Sequence, residues 1–446
     1  MRLTDTIAAA LVAHVPADAE VGAWHRGDTT VIGVGVEELV AADAAEAMTA
    51  LDRLGPGTWV GWIAFELGHT IEPVAGVGDG GDDSNRRRAR HDPAAVHDVL
   101  FARFGAHAVI AADGSVRVHG DGSGRALLHA ARRALTSASS PGAPSPVGPF
   151  PAGDASLHWT SSLGQRDYEA RVDAVVELLR AGECYQVNLT RRLTTDTLID
   201  PVALYAQLAR AHPAPHAALL RVHEPRAGRV AVVSASPERF VTVVGRAVET
   251  QPIKGTARDA RVLGASAKDR AENVMIVDLA RNDLGRVCEP GSIHVPALFA
   301  VEPHPGLHHL VSTVRGTLRD DVGTAALVAA TFPPASVTGA PKPRVLRAID
   351  ELEPVRRGVY CGAFGWIDTE RGEMDLSLAI RTFCVFDDRT ELGIGAGIVA
   401  DSSPTAEWEE TELKAARLLA AANAAARTSR TPAAQASASD ALAIAR

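Results

Sequence analysis

Two apolar runs, Ala217 to Val222 and Arg229 to Ser234, are separated only by a turn containing Pro225 and Gly228. That spacing constrains the fold more than any other feature of the chain. A parallel pair needs a crossover of about a dozen residues or more, so a link this short joins antiparallel neighbours. Further strands are expected at Thr58 to Phe65, Ala106 to Ala111 and Tyr185 to Leu189. Helical spacing occurs in the same chain: Tyr168, Val172, Val175, Val176 and Leu179 share one face between Asp167 and Ala181, and another helix is expected to begin near Pro201. Strand–turn–strand units interspersed with helices predict a mixed α+β fold of mostly antiparallel sheets, and fit a doubly wound parallel sheet less well.

Composition narrows the class. The 446 residues are 46% hydrophobic with a mean hydropathy of +0.02, enough for a sizeable core and too polar for a membrane protein. Ile7 to Val15, interrupted by His14 and preceded by Asp5, reads as an amphipathic surface helix rather than a secretory leader. A net charge of −9 argues against a nucleic-acid partner, and the run Arg86-Arg87-Arg88 with Arg90, after Asp82-Asp83, reads as a solvated loop. Cys184, Cys288, Cys361 and Cys384 show no Cys-x-x-Cys spacing, which speaks against structural zinc and a disulfide framework and fits a reducing cytoplasm. Residues 1–136 read as an α/β region integrated with the core, and 137–154 as a Ser/Pro/Gly/Ala-rich linker or surface loop. Residues 155–423 carry the strong patterns and are the expected catalytic domain, and 424–446 begins as a helix end and becomes an Ala/Ser/Thr tail expected to be disordered.

Several residue types in this block can carry chemistry. Lys254, in Pro252-Ile253-Lys254-Gly255-Thr256, follows Ser236-Pro237-Glu238-Arg239-Phe240, with a strand-like stretch from Val241 to Ala247 between them. An amine and a carboxylate sharing a cleft can act as nucleophile and general acid/base; a lysine before glycine is otherwise a solvated turn residue. Ser266-Ala267-Lys268-Asp269 reads as a capping box, opening a helix with Asp269, Glu272, Asn273 and Ile276 on one face. A second helix opens at Ser403-Pro404 and projects Glu407 and Glu410 one turn apart. Acidic first turns need only the helix dipole to explain them; if the two clusters converge, they suit Mg²⁺, which takes carboxylates, waters and a substrate oxygen. The glycines of Gly393-Ile394-Gly395-Ala396-Gly397 either make a tight turn or present backbone N–H groups to an anion. Arg381 is expected inside an apolar strand, where its charge needs a partner, internal or a substrate carboxylate. Ser336 to Lys342 is a hydroxyl-rich turn entering a helix, and His309 is either an acid/base or a hydrogen-bonded core histidine.

Taken together, these segments resemble the chorismate-utilising enzymes: anthranilate synthase large subunits, aminodeoxychorismate synthases, isochorismate synthases and salicylate synthases. The resemblance runs from about Tyr168 to Leu419 and rests on seven segments in order. These are Ser236 to Phe240, Pro252 to Thr256, Lys268 to Arg286, His309 to Val314, Gly339 to Lys342, Ile380 to Phe383, and Gly395 to Thr411. It implies a sandwich of two mostly antiparallel sheets with outer helices, binding Mg²⁺ and chorismate between them. By the same resemblance Glu272 and Glu410 are expected metal ligands, with Glu407 and Asp269 around them. Tyr360, Arg381, Thr338, Gly339, Lys342, Gly395, Ala396 and Gly397 are expected at the substrate, and Lys254, Glu238 and His309 at the chemistry.

Two positions separate the subfamilies. Water-using relatives resemble one another in a lysine where this chain has Gln186, and anthranilate synthases usually have alanine where it has Lys254. The Pro-Ile-Lys-Gly-Thr segment resembles aminodeoxychorismate synthase component I of the 4-aminobenzoate branch of folate synthesis. That resemblance implies addition of Lys254 at ring carbon 2 of chorismate, attack of ammonia at ring carbon 4, and proton transfers through Glu238. The segment between Lys254 and Glu272 is shorter than in that subfamily, which leaves the equivalence of Arg258 open. No clear tryptophan-binding motif is present, so tryptophan inhibition is not expected. No Gly-x-Cys-x-Gly nucleophile segment occurs, so ammonia is expected from a separate glutamine amidotransferase subunit. The alternatives are an anthranilate synthase component I-like enzyme and a catalytically silent chorismate-binding regulatory subunit.

Overall fold

The computed structural model describes residues 3–72, 96–138, 157–304 and 307–429. The arginine run at 86–90, nearly all of the expected linker and the tail beyond residue 429 lie outside the described residues. Every strand pairing among the described residues is antiparallel. The opening pair forms as the short turn requires: His216–Glu224 runs against Gly228–Ser236, Ala218 opposite Ser234.

Strand alternation shows how the layers stack. In Thr58–Ile63, Trp59 and Ile63 face one core while Val60 and Trp62 face another. In Gly228–Ser236, Val230 and Val232 join Val60 and Trp62, whereas Ala231, Val233 and Ala235 pack on helices. Phe364 and Trp366 of Ala363–Asp368 and Leu220 and Val222 of His216–Glu224 complete that middle layer. Two sheets therefore meet face to face, and each carries helices on its other side. Burial on both faces explains why these strands read as continuous apolar runs instead of alternating.

The helices follow their patterns. Gln165–Arg180 buries Tyr168, Val172, Val175, Val176 and Leu179. Asp200 caps Pro201–Ala211 by accepting from Val202 N. The N-terminal helix, Leu3–Val12, buries Ala8, Leu11 and Val12, and no helix of the described residues is long and apolar enough to cross a membrane.

Three local expectations change. Val241 to Ala247 is not one strand: Arg239–Val244 ends in a turn at Gly245 (φ 60°), and Ala247–Gln251 returns beside it. Gly393 to Gly397 is not a turn but the interior of the strand Thr390–Ile398. Arg381 lies between strands ending at Leu378 and beginning at Thr382, with φ 51°.

Candidate active site

The hairpin brings the amine and the carboxylate together. Arg239 pairs with Gln251, so the residues beyond each end, Glu238 and Pro252-Ile253, emerge side by side. Ile253 N donates to Glu238 Oε1 at 3.5 Å, and Lys254 follows on the short strand Ile253–Ala257. Burial raises the Glu238 carboxyl to about 7, opposed by the Ser336 hydroxyl and the Lys254 amine. Burial likewise lowers the Lys254 ammonium below its ordinary range, opposed by the carboxylates of Glu272 and Glu238. Both shifts favour the neutral pair, an acid that can donate and an amine that can attack.

The first acidic helix, Ala267–Gly285, lies against this strand. Ser266 caps it by accepting from Asp269 N at 3.2 Å. Gly255 has φ 89°, and a Cβ there would sit 2.9 Å from Asp269 Cβ and Cγ, so glycine permits this approach. Glu272 and Glu410 both act electrostatically on Lys254, so the two acidic helices converge on one amine. Glu410, on Pro404–Ser429, pairs with Lys414 at 2.6 Å, and Lys414 also donates to the Gly395 carbonyl at 2.9 Å. Glu407 accepts the Ser402 hydroxyl at 2.6 Å. Among the described residues no three His, Cys, Asp or Glu side chains gather as a metal-holding group. Asp269, Glu272, Glu407 and Glu410 thus do not form such a group by themselves, and Glu407 and Glu410 each accept from a protein donor.

The opposite wall is the glycine strand. Its partner is Gln186–Thr195, with Thr190 opposite Gly395 and Asn188 opposite Gly397. Thr190 N donates instead to Glu353 Oε1, and Asn188 N to the Thr338 carbonyl. In an antiparallel ladder these are non-hydrogen-bonded pairs, so Gly395 and Gly397 direct their N–H groups to the other edge. The strand pairing that edge stops at Leu392. Side chains press on the glycines from one face: a Cβ at Gly393 would meet the Tyr360 ring at 2.1 Å. One at Gly397 would meet Gln186 Nε2 at 2.8 Å and Lys254 Nζ at 3.6 Å. Glycine is present because neighbours fill the space of a side chain, and Gln186, Lys254 and Gly397 share one small volume.

Gln186 is fully buried, yet among the described residues neither its Oε1 nor its Nε2 has a hydrogen-bond partner. Arg381 is half-buried, and no carboxylate lies within ion-pair distance of it among the described residues. Burial lowers its pKa, opposed by Glu238. Tyr360 is half-buried with its ring against Gly393, and desolvation pushes its hydroxyl well above its ordinary range. His309 is buried, its Nδ1 2.8 Å from Thr256 Oγ1, on the strand beside Lys254. Thr338 donates its hydroxyl to the Pro334 carbonyl at 2.8 Å, and Gly339 abuts the Gln186 backbone.

Lys342 departs from expectation. Its Nζ pairs with Asp283 at 2.8 Å and approaches the Thr331 carbonyl at 3.4 Å. The ammonium expected at the substrate is committed to a buried ion pair. Lys414 was missed by sequence reasoning; its signal was a lysine one turn beyond Glu410, the spacing of a helical ion pair.

Known proteins match this arrangement. Residues 15–420 match the family described as chorismate binding enzyme. Component 1 of the aminodeoxychorismate synthase of Klebsiella aerogenes is 44% identical over 271 residues, covering 58% of this chain and 59% of that protein. Anthranilate synthase component 1 of Streptomyces coelicolor is 40% identical over 305 residues, 66% of this chain and 58% of that protein. The chain thus spans about six-tenths of the length of these curated relatives. The crystal structure of anthranilate synthase component I from Streptococcus pneumoniae superposes with a TM-score of 0.71 at 25% identity, covering 89% of this chain and 93% of that one. The menaquinone-specific isochorismate synthase of Escherichia coli shares the fold, with a TM-score of 0.69 at 17% identity over 93% of this chain and 91% of that one. With the two sheets, the amine between acidic helices and the glycine strand in place, the chain belongs to the chorismate binding enzyme family.

Proposed function

We propose that the chain is the chorismate-aminating component of an aminodeoxychorismate synthase, converting chorismate and ammonia to 4-amino-4-deoxychorismate and water. One observation carries this reading: the half-buried Lys254 amine comes beside Gly397 of the glycine strand and follows Ile253, whose N–H donates to Glu238, and desolvation biases both Glu238 and the amine to neutrality. The relatives named aminodeoxychorismate synthase component 1 support it.

In the proposed reaction Lys254 Nζ forms a bond to ring carbon 2. The two conjugated ring double bonds each shift by one position and the bond from carbon 4 to its hydroxyl breaks. Glu238 gives its proton to that hydroxyl, which departs as water. Ammonia then bonds to carbon 4, both double bonds shift back, and the bond from carbon 2 to Lys254 breaks. Glu238 recovers a proton from the new ammonium group, so both side chains return to their starting state. Gln186 cannot activate a water, and its open amide suits a polar group of substrate or ammonia. Arg381 and the N–H groups of Gly395 and Gly397 suit carboxylate oxygens.

Glu272 and Glu410, facing Lys254 from separate helices, are a donor set that fits Mg²⁺ alongside a substrate carboxylate. Bound there, the ion would neutralise and orient that carboxylate. Ammonia is proposed to come from a separate glutamine-hydrolysing subunit, consistent with the relatives' designation as component 1.

A second reading, an anthranilate synthase component, is favoured by the 40% identity to the Streptomyces coelicolor protein. Incubation with chorismate, Mg²⁺ and ammonium, followed by product identification, separates the two. Aminodeoxychorismate is expected; anthranilate with pyruvate would overturn the proposal, and no turnover at any ammonia supply would point to a silent binding subunit.

A further inference from the structure

The hydrogen bond between Asn273 and Ser312 sits where the reacting elements meet. Asn273 and Ser312 are both fully buried. Ser312 Oγ donates to Asn273 Oδ1 at 2.5 Å, and Asn273 Nδ2 donates to the Leu310 carbonyl at 3.3 Å. The amide therefore spans two residues of the strand Leu307–Thr317 from the helix carrying Glu272. Ser312 N donates to the Pro252 carbonyl at 3.1 Å, so the same residue holds the segment leading to Lys254. The neighbours of this unit are the chemical groups: Glu272 precedes Asn273, His309 precedes Leu310, and Lys254 lies two residues past Pro252. Glu238 joins through its bond from Ile253 N.

Ser312 has one more partner. Its Oγ accepts Phe299 N at 3.1 Å. Phe299 has φ 59°, a conformation uncommon for a non-glycine residue, and lies where the pairing of His294–His304 shifts register between Ala297 and Ala300. The guanidinium of Arg270, one turn before Asn273, covers the Phe299 ring at 4.7 Å. A bulge beside a site, held by one hydroxyl and covered from the acidic helix, is a way to fix where that helix stands.

We propose that Asn273 and Ser312 act as one positioning unit, setting the separation of the Glu272 helix from the Lys254 strand so that the amine meets ring carbon 2 of bound chorismate. The proposal rests on the amination reading above. Substrate is gripped on the opposite wall, by Arg381 and the glycine strand, so the unit acts on kcat rather than on KM. Removing it displaces the amine without changing what the carboxylates of chorismate meet.

The test compares Ser312→Ala, Asn273→Ala, the double variant and Ser312→Thr, which retains the hydroxyl. Each is assayed with chorismate, Mg²⁺ and ammonium, with chorismate binding measured separately by equilibrium dialysis and folded fraction by circular dichroism. Each alanine variant is expected to lose about tenfold to a hundredfold in kcat, with KM and the chorismate Kd within about threefold of wild type. The double variant should be no worse than the poorer single one, and Ser312→Thr should regain most of the loss. Wild-type kcat in both alanine variants, multiplied losses in the double variant, or losses that track the folded fraction alone would each overturn the positioning unit. Wild-type enzyme that makes no aminodeoxychorismate would instead overturn the amination reading; altered chorismate Kd in the variants would still count against the unit.

Discussion

The two walls of the site differ in how their polar groups are satisfied. On the Lys254 wall polar groups meet other parts of the protein: Ile253 with Glu238, Thr256 with His309, Ser312 with Asn273. On the glycine wall the groups face outward into the site. Both polar atoms of Gln186 lack partners, Arg381 has no carboxylate at ion-pair distance among the described residues, and Gly395 and Gly397 aim their N–H groups past the end of the neighbouring strand. A buried polar group without a partner costs about 1–3 kcal/mol, so the Gln186 amide is the group on this wall with most to gain from a polar ligand. In the proposed reaction the first wall makes and breaks bonds and the second holds the carboxylates of chorismate.

The largest effect should come from the first wall. Lys254→Ala is expected to lower aminodeoxychorismate formation about 10³-fold or more, since no neighbouring group can replace the nucleophile. Rate measurement with product identification checks it, and slow anthranilate formation would show the ring redirected to a different product. Glu238→Gln should lose about 10²-fold or more. The wild-type pH profile carries the sign. Glu238 must be protonated to release the hydroxyl, so kcat/KM should fall as pH rises through about 7. It should also fall on acidification, as Lys254, whose pKa is lowered, gains its proton. The alkaline limb should be absent from Glu238→Gln.

The second wall should respond in binding. Arg381→Lys keeps the charge but loses the planar two-pronged donor, and should raise the KM for chorismate about ten- to a hundredfold with kcat little changed. The smallest effect is the most discriminating. Gln186→Met removes two unsatisfied buried polar atoms while keeping much of the volume, so the free protein should gain about 1 kcal/mol while turnover falls. A denaturant midpoint that moves downward would mean that the glutamine is satisfied within the fold and that the contrast between the walls is wrong.

Local features carried the legible part of this molecule. The turn at Pro225 and Gly228, the face from Tyr168 to Leu179 and the cap at Ser266 each depend on residues a few positions apart, and each formed. The amine and its carboxylate are also legible as a pair, although the sequence pattern hides the turn at Gly245 between them inside an apolar run. What was not legible depends on distant neighbours. The glycines of the strand Thr390–Ile398 resemble a turn until Tyr360 and Gln186 are seen filling the space beside them. Lys342 looks available for an anion until Asp283, 59 positions earlier, is found against it. The pairing of Lys414 with Glu410 and with the Gly395 carbonyl likewise emerges only once the last helix is set against the glycine strand.

The central claim, that the Lys254 amine itself bonds to the chorismate ring, is tested most directly by peptide mass mapping of enzyme quenched with chorismate and Mg²⁺ in the absence of ammonia. The expected result is a peptide containing Lys254 that carries chorismate less one water, lost again when ammonium is added. An unmodified Lys254 peptide from enzyme that forms aminodeoxychorismate at full rate, with the same rate retained by Lys254→Ala, would contradict it.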